Sequence, residues 1–127
     1  MRVRRYNKNT DERKVMQIIS KEDDWEYDSE KWRDRFTLAL EKSITYVACE
    51  GDNILGFSRS INDCDMYVYL CDLLVDVDHR GKSIGKKLIE CLSDDFPGKD
   101  VYVMSDADGY YSKQGYKKIG SIFELYS

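Results

Sequence analysis

The sequence predicts a single α/β domain, in which a mixed, mostly antiparallel twisted sheet of about six strands carries helices on both faces. The 127 residues, 42% of them hydrophobic, suit one core and are too few for two. Runs of β-branched and aromatic residues alternate with stretches whose apolar residues recur at helical spacing. The only proline is Pro97 and no linker is marked, so residues 1–127 are expected to form one domain.

The predicted element order is βααβββαβαβ, which implies a mixed sheet. The run Met66–Val77 is longer than a typical strand and predicts a bulge or splay. From Ile84 the apolar spacing changes to that of a helix. The other predicted elements are a strand at 3–6, a helix opened by Asn9, a second helix from about Ser29, hairpin strands at 44–49 and 54–61, a strand at 101–104, a helix at 110–114 closed by Gly115, and a final strand at 117–126.

Charge and hydropathy exclude several classes of function. The formal net charge of -4 leaves no large basic surface, so no nucleic-acid partner is expected. An acidic balance suits a cationic substrate better. No apolar run is long enough to cross a bilayer and the basic first six residues lack a signal-peptide core, so we expect a soluble, cytoplasmic protein with no membrane partner.

The cysteines show no metal-binding pattern. Four cysteines are scattered without a CxxC pair, and His79 is the only histidine. No metal site is therefore expected, and the thiols are interpreted as reduced and mostly buried. A catalytic cysteine paired with His79 is the alternative.

A glycine-containing turn links the predicted strand ending near Val77 to the helix beginning near Ile84. Helix N-termini carry unpaired amides and attract anions, and Gly81 and Gly85 allow the backbone to approach one closely. A diphosphate is the natural ligand. A Walker A loop is excluded because Asp76 stands where its first glycine is required, and the spacing of a Rossmann fingerprint is absent. The cations around the turn are Arg80, Lys82, Lys86 and Lys87.

Two segments resemble motifs of the GNAT superfamily of N-acetyltransferases. The run Arg80–Gly85 is similar to motif A, in its R-G-x-G-I-G form, except that Ser83 replaces the middle glycine. The run Tyr110–Tyr116 is similar to motif B, and Ala107 also falls in its expected place. The resemblance spans nearly the whole element order and implies a GNAT-like fold that binds acetyl-CoA.

The resemblance also implies roles for individual residues. Backbone amides of the turn would hold the pyrophosphate, and Ser83 would bind a phosphate or cap the helix. The N–H of Leu74 would polarise the thioester carbonyl. Tyr111 would protonate the departing thiolate, with Tyr110 as a bystander; the alternative is that Tyr111 only packs on the cofactor. The implied cofactor-binding residues are Leu73, Leu74, Val75, Arg80, Gly81, Lys82, Ser83, Ile84, Gly85 and Lys86.

Asp72 is the predicted general base. By strand alternation it shares a face with Val68, Leu70 and Leu74, unless a bulge changes the parity. Partial burial there would raise the pKa of its carboxyl. The alternative is that Asp72 caps or pairs locally.

The segment 22–30 interleaves carboxylates with aromatic residues and is the predicted acceptor site, since both attract cations; the alternative is a solvated loop. The predicted function is acetylation of a primary amine of a small molecule or peptide by direct attack in a ternary complex. A non-catalytic acyl-CoA-binding module is the other interpretation. The tyrosines and the final strand also suit a homodimer.

Overall fold

The structure is a computed structural model that describes residues 1–127. The strands are β1 (Arg2–Arg5), β2 (Ile44–Glu50), β3 (Asn53–Asn62), β4 (Val68–Val75) and β5 (Val101–Val103), and the helices are α1 (Lys8–Ser20), α2 (Arg33–Lys42), α3 (Ile84–Asp95) and α4 (Asp108–Lys113). A short 3-10 turn at Val77–His79 follows β4.

The sheet has the strand order β1-β2-β3-β4-β5. The first three pairings are antiparallel, and β4 pairs with β5 in parallel. The mixed, mostly antiparallel sheet and the β2–β3 hairpin predicted from the sequence are confirmed. The hairpin turns at Gly51, whose φ of 60° is in the left-handed region that glycine adopts freely.

Helices cover both faces of the sheet, and each face has its own core. On one face, Val15, Ile19, Phe36 and Leu40 from α1 and α2 pack against the sheet. On the other, Leu88 and Leu92 of α3 do the same. None of the helices combines the length and apolar character that crossing a bilayer requires.

The predicted final strand is wrong, and the sheet has five strands instead of about six. Residues 117–126 form no strand. Their apolar side chains have little cover: Phe123 is 79% exposed and Leu125 is 81% exposed. The alternating pattern indicated a strand, but a strand also needs a pairing partner, and residues 117–126 pair with none of the five strands.

A partly buried ion pair joins β1 to α1. The guanidinium of Arg4 donates to both carboxylate oxygens of Asp11, at 2.7 and 2.9 Å, and the amide of Asn7 donates to the same carboxylate. Burial pushes the pKa of Asp11 upward, but these hydrogen bonds outweigh it and hold the pKa below its usual value. The pair fixes the start of the sheet relative to the first helix.

Candidate functional site

The turn between β4 and α3 is shaped by two residues with positive φ. Gly81 has φ 82° and Ser83 has φ 60°. Glycine adopts this conformation freely, whereas serine does so at a cost of roughly 1–2 kcal/mol. The position at which Ser83 departs from the resembled motif is therefore a position where the backbone favours glycine.

The N-terminus of α3 has no side-chain cap. Ser83 is the N-cap residue, but its hydroxyl makes no capping hydrogen bond, so the predicted capping role is wrong. The first-turn amides of a helix have no intrahelical partner and attract anions. Lys82, Lys86 and Lys87 are exposed around them, so the helix end and its rim both favour a negatively charged ligand.

The strain at Ser83 leads to a stability prediction. Ser83→Gly is expected to raise the free energy of unfolding by about 0.5–1 kcal/mol, because relief of the left-handed strain exceeds the added chain entropy of glycine. Gly81→Ala is the matched control and should lower it by about 1 kcal/mol. A Cβ at Gly81 would meet no atom within 4 Å, so only φ strain is tested. Urea unfolding measures both, and destabilisation by Ser83→Gly would contradict this geometry.

Gly85 lies where α3, β4 and α4 meet. A Cβ on Gly85 would lie 2.7 Å from the Tyr110 hydroxyl and 3.8 Å from Leu73 Cδ2. A Cβ only 2.7 Å from the Tyr110 hydroxyl could be accommodated only if the tyrosine moved. Gly85 thus lets Tyr110 of α4 reach the first turn of α3.

Arg80 is engaged by a carboxylate outside the turn. Its Nη2 donates to Glu22 Oε1 at 2.7 Å, and its Nε donates to the carbonyl of Val75 at 3.3 Å. Lys21 Nζ similarly lies 3.1 Å from Asp76 Oδ2. These contacts join the α1–α2 connection to the turn. The Arg80 side chain remains 50% exposed, and Lys86 lies 3.9 Å from Glu90 within α3.

Strand β4 continues past the end of β5. The two strands pair only over Val68–Leu70 and Val101–Val103, while β4 continues to Val75. In the pairing with β3, Arg59 is opposite Asp72 and Ser60 is opposite Leu70, so Cys71 is the extra residue of a bulge. This run was predicted to contain a bulge or a splay, and the bulge is confirmed. We call the space beside Leu73–Val75, past the end of β5, the β4 gap.

Backbone groups of Leu73 and Val75 face the β4 gap. The amide of Asp76 donates to Leu55 of β3 at 2.8 Å, and the carbonyl of Val75 points away from β3 and accepts from Arg80. Because successive residues of a strand direct their backbone groups to opposite sides, the amide of Leu74 faces β3. The amides at the gap are therefore those of Leu73 and Val75, and the assignment of this role to Leu74 is corrected to Leu73.

Asp72 lies in the α1/α2 core and is paired. Val68 and Leu70 pack beneath α3, whereas Leu74 belongs to the opposite core. The bulge therefore changes which face of the sheet the later residues of β4 occupy. Asp72 shares a face with Leu74, and the expectation that it also shares one with Val68 and Leu70 is wrong. Arg59 Nε donates to Asp72 Oδ2 at 2.6 Å. Burial raises the pKa of Asp72, and the charge of Arg59 opposes the rise. The raised pKa and the local pairing that the sequence suggested are both present.

The two neighbouring tyrosines of α4 face different surroundings. Their rings lie 5.1 Å apart in an edge-to-face arrangement. Tyr110 reaches Gly85, while Tyr111 lines a cavity of about 890 Å³ beside β5. Burial, followed by the nearby Tyr110 and Asp106, raises the pKa of Tyr111 to about 12. Its phenol is therefore protonated throughout the physiological range.

The aromatic residues of the predicted acceptor segment belong largely to the core. Tyr27 stacks on Phe36 with ring centres 4.4 Å apart, and Trp25 meets Phe57 edge to face. A cation that approaches this segment would therefore contact the exposed carboxylates and not these aromatic rings. The exposed carboxylates of the segment are Asp23, Asp24, Glu26 and Glu30.

Two contributors to the site were missed from the sequence. Lys21 was given no role from the sequence, and its contact with Asp76 could not be predicted from positions 55 residues apart. Arg59 carried a usable signal, because a charged residue within an apolar strand is seldom buried without a partner. That signal would have indicated an acidic neighbour such as Asp72.

Together these features define an α/β domain with a lysine-rimmed, uncapped turn between a bulged strand and a helix. Residues 41–118 match the family model described as the acetyltransferase (GNAT) domain. That match spans more than half of the chain, so the protein belongs to the GNAT family of acetyltransferases. The family membership indicated by the two motifs is confirmed.

Solved structures share this fold. A putative GNAT-family acetyltransferase from Xanthomonas campestris pv. campestris is 23% identical, with a TM-score of 0.70, and the match covers 100% of this chain and 94% of that one. Aminoglycoside 6'-acetyltransferase type Ii is 20% identical, with a TM-score of 0.76 and coverage of 94% and 85%. An aminoglycoside 6'-N-acetyltransferase complexed with coenzyme A is 16% identical, with a TM-score of 0.70 and coverage of 94% and 87%. No curated protein sequence matches the chain.

Proposed function

We propose that this protein transfers the acetyl group of acetyl-CoA to a primary amine of a small molecule or peptide, by direct attack in a ternary complex. The observation that carries the proposal is the uncapped N-terminus of α3 at the end of the β4 gap. Membership of the GNAT family supports acetyl transfer. The structural neighbour complexed with coenzyme A supports the choice of cofactor.

The turn residues fit the diphosphate of the cofactor. The positive φ values at Gly81 and Ser83 bend the chain so that successive amides can converge on one anion. Lys82 and Lys86 add charge at the rim. The residues we assign to cofactor binding are those from Arg80 to Lys86, with Leu73 and Val75 along the gap.

The β4 gap suits the extended arm of the cofactor. An extended chain of amides pairs with a strand edge through backbone hydrogen bonds, and Leu73 and Val75 present such groups. When bound, acetyl-CoA supplies a thioester carbonyl that is open to attack by an amine. The Leu73 amide is placed to donate to that carbonyl oxygen as negative charge develops on it.

Two side chains are assigned to proton transfer. Tyr111 would donate a proton to the departing sulfur, and its pKa of about 12 keeps that proton available. Asp72 would accept the proton of the attacking ammonium, directly or through water. The raised pKa of Asp72 makes its carboxylate a stronger base than an ordinary aspartate. The hydrogen bond from Arg59 fixes the orientation of that carboxylate.

The acceptor is proposed to be cationic. The exposed carboxylates at Asp23, Asp24, Glu26 and Glu30 give the approach to the site a negative potential, which concentrates ammonium compounds. The alternative function, a non-catalytic acyl-CoA-binding module, shares the same fold and turn.

Release of the free thiol from acetyl-CoA in the presence of aminoglycosides, polyamines and lysine peptides tests the proposal. Turnover with at least one amine, together with a rise in melting temperature on adding acetyl-CoA, is expected. Thermal stabilisation without thiol release for any amine would favour the binding module. Stabilisation by ATP but by no coenzyme A species would overturn the cofactor assignment.

A further inference from the structure

A row of apolar side chains crosses strands β3, β4 and β5. Ile61 is opposite Tyr69 in the β3–β4 pairing, and Tyr69 is opposite Tyr102 in the β4–β5 pairing. Tyr67 adds a third ring, whose centre lies 5.7 Å from that of Tyr102. Side chains opposite one another across a sheet are in contact, so these residues form one continuous surface. We call Ile61, Tyr67, Tyr69 and Tyr102 the tyrosine platform.

The tyrosine platform faces the same side of the sheet as α1 and α2. Its tyrosines alternate with residues that pack in the core beneath α3, namely Val68, Leu70, Val101 and Val103. Because successive residues of a strand point to opposite faces, Tyr69 and Tyr102 point away from α3. Ile61 is an even number of residues from Phe57, which belongs to the α1/α2 core. The platform therefore extends the sheet face on which α1 and α2 pack.

The α1/α2 core does not extend over the tyrosine platform. That core takes only Leu74 from β4 and no residue from β5, and no platform residue belongs to either core. Ile61 is 47% exposed and Tyr102 is 37% exposed. A contiguous apolar patch that stays open to solvent commonly marks a surface that binds a ligand or a partner.

The tyrosine platform adjoins the proposed base. On β3, Arg59 is two residues before Ile61 and is opposite Asp72, to which it also donates a hydrogen bond. Side chains two residues apart on one face of a strand lie about 7 Å from each other. A molecule that rests on the platform can therefore extend a group across this short distance toward the Asp72 carboxylate.

The platform also borders the cavity that contains the proposed acid. Tyr69, Tyr102 and Tyr111 all line the cavity of about 890 Å³ beside β5. A ligand on the platform is thus next to both residues that we assign to proton transfer. This continuity with the proposed reaction site favours the acceptor amine as the occupant of the platform.

The chemistry of the platform selects an aromatic group. Aromatic rings pack on one another in offset or edge-to-face arrangements and gain more than the burial of their area alone. Ile61 adds aliphatic surface against which the same ring can be buried. The platform contains no carboxylate, so a second ammonium placed there would gain only the modest attraction of exposed ring faces. An acceptor with one ammonium and one ring fits this surface better than a polyamine.

We propose that the preferred acceptor is an arylalkylamine, whose ring packs on the tyrosine platform while its ammonium reaches Asp72. This inference rests on the acetyl transfer proposed above and names its substrate class. In that reaction the amine nitrogen forms a bond to the acetyl carbon, and the bond from that carbon to sulfur breaks. Of the two protons that the ammonium loses, one ends on the sulfur of coenzyme A and the other is released to solvent.

The kinetics of thiol release with phenethylamine, propylamine and spermidine test the substrate class. All three carry a primary ammonium, attached to an aromatic, a short alkyl and a polycationic group respectively. We expect kcat/KM for phenethylamine to exceed each of the other two by about tenfold or more. An equal or higher kcat/KM for propylamine or spermidine would overturn the arylalkylamine class and leave the transferase in place. Absence of thiol release with every amine would overturn both.

The double variant Tyr69→Ala/Tyr102→Ala tests the platform itself. We expect it to lower the ratio of kcat/KM for phenethylamine to kcat/KM for propylamine about tenfold, and this ratio is insensitive to a loss of folded protein. Tyr102→Ala alone should lower the ratio about threefold, and it replaces the double variant if that chain does not fold. The matched control is Phe123→Ala/Tyr126→Ala, which removes rings that are 79% and 95% exposed and should leave the ratio unchanged.

An unchanged ratio in the folded platform variants would overturn the proposal. An unchanged ratio together with a smaller sedimenting species would do the same, and would assign the platform to a contact between copies of the chain. An equal fall of the ratio in the control variant would also contradict the proposal, because the effect would then not come from the platform.

Discussion

Tyr111→Phe is expected to lower kcat for acetyl transfer about 100-fold while changing KM for acetyl-CoA little. The substitution removes the proton that the phenol would donate to the departing sulfur but keeps the ring and its packing. Because the pKa of Tyr111 is raised to about 12, the protonated form persists to high pH. The wild-type rate should therefore show no loss from Tyr111 ionisation until the pH approaches that value. Steady-state kinetics as a function of pH measure both effects.

Tyr110→Phe is the matched control for this prediction. It removes the hydroxyl that lies against Gly85, next to the proposed diphosphate site, and should act mainly on KM for acetyl-CoA. If Tyr110→Phe instead abolished kcat while Tyr111→Phe remained active, the proton donor would be Tyr110. Unchanged kcat in both variants would mean that the thiolate leaves without an acid.

Gly85→Ala is expected to weaken coenzyme A binding about tenfold or more. The added Cβ would lie 2.7 Å from the Tyr110 hydroxyl, so the tyrosine must move or the first turn of α3 must shift. Overpacking of this kind costs about 1–3 kcal/mol, partly offset by the better helix propensity of alanine, about 1 kcal/mol. Isothermal titration with coenzyme A measures the affinity, and thermal unfolding measures the stability.

A double-mutant cycle isolates the contact behind this prediction. In the Tyr110→Phe background the hydroxyl is absent, so Gly85→Ala should cost about 1 kcal/mol less than in the wild type. Strictly additive effects would show that the hydroxyl does not restrain Gly85. The cycle therefore tests the geometry independently of any enzymatic activity.

Much of the fold could be predicted because its signals are local. The β2–β3 hairpin follows from alternation on either side of a glycine-containing turn, and α3 follows from a change of apolar period after Ser83. The turn between β4 and α3 combines glycine, lysine and a helix start within a few residues. Each of these features depends on neighbours that are close in the chain.

The features that could not be predicted depend on distant contacts. The prediction of a final strand was wrong because the alternating pattern specifies one buried face but not the strand edge that would pair with it. The bulge at Cys71 was anticipated, yet its position within the strand, which sets the face of Asp72, depends on the pairing with β3. The contact between Arg80 and Glu22 joins positions 58 residues apart. The sequence alone could not show that a carboxylate outside the turn engages Arg80.

We propose that the amides at the start of α3 and those along the β4 gap bind one coenzyme A molecule. Titration of ¹⁵N-labelled protein with coenzyme A, followed by amide resonances, tests it most directly. The largest shifts are expected at residues 81–86, accompanied by shifts at Leu73 and Val75. Saturable binding that leaves these amides unperturbed, with shifts confined to other parts of the chain, would contradict the claim.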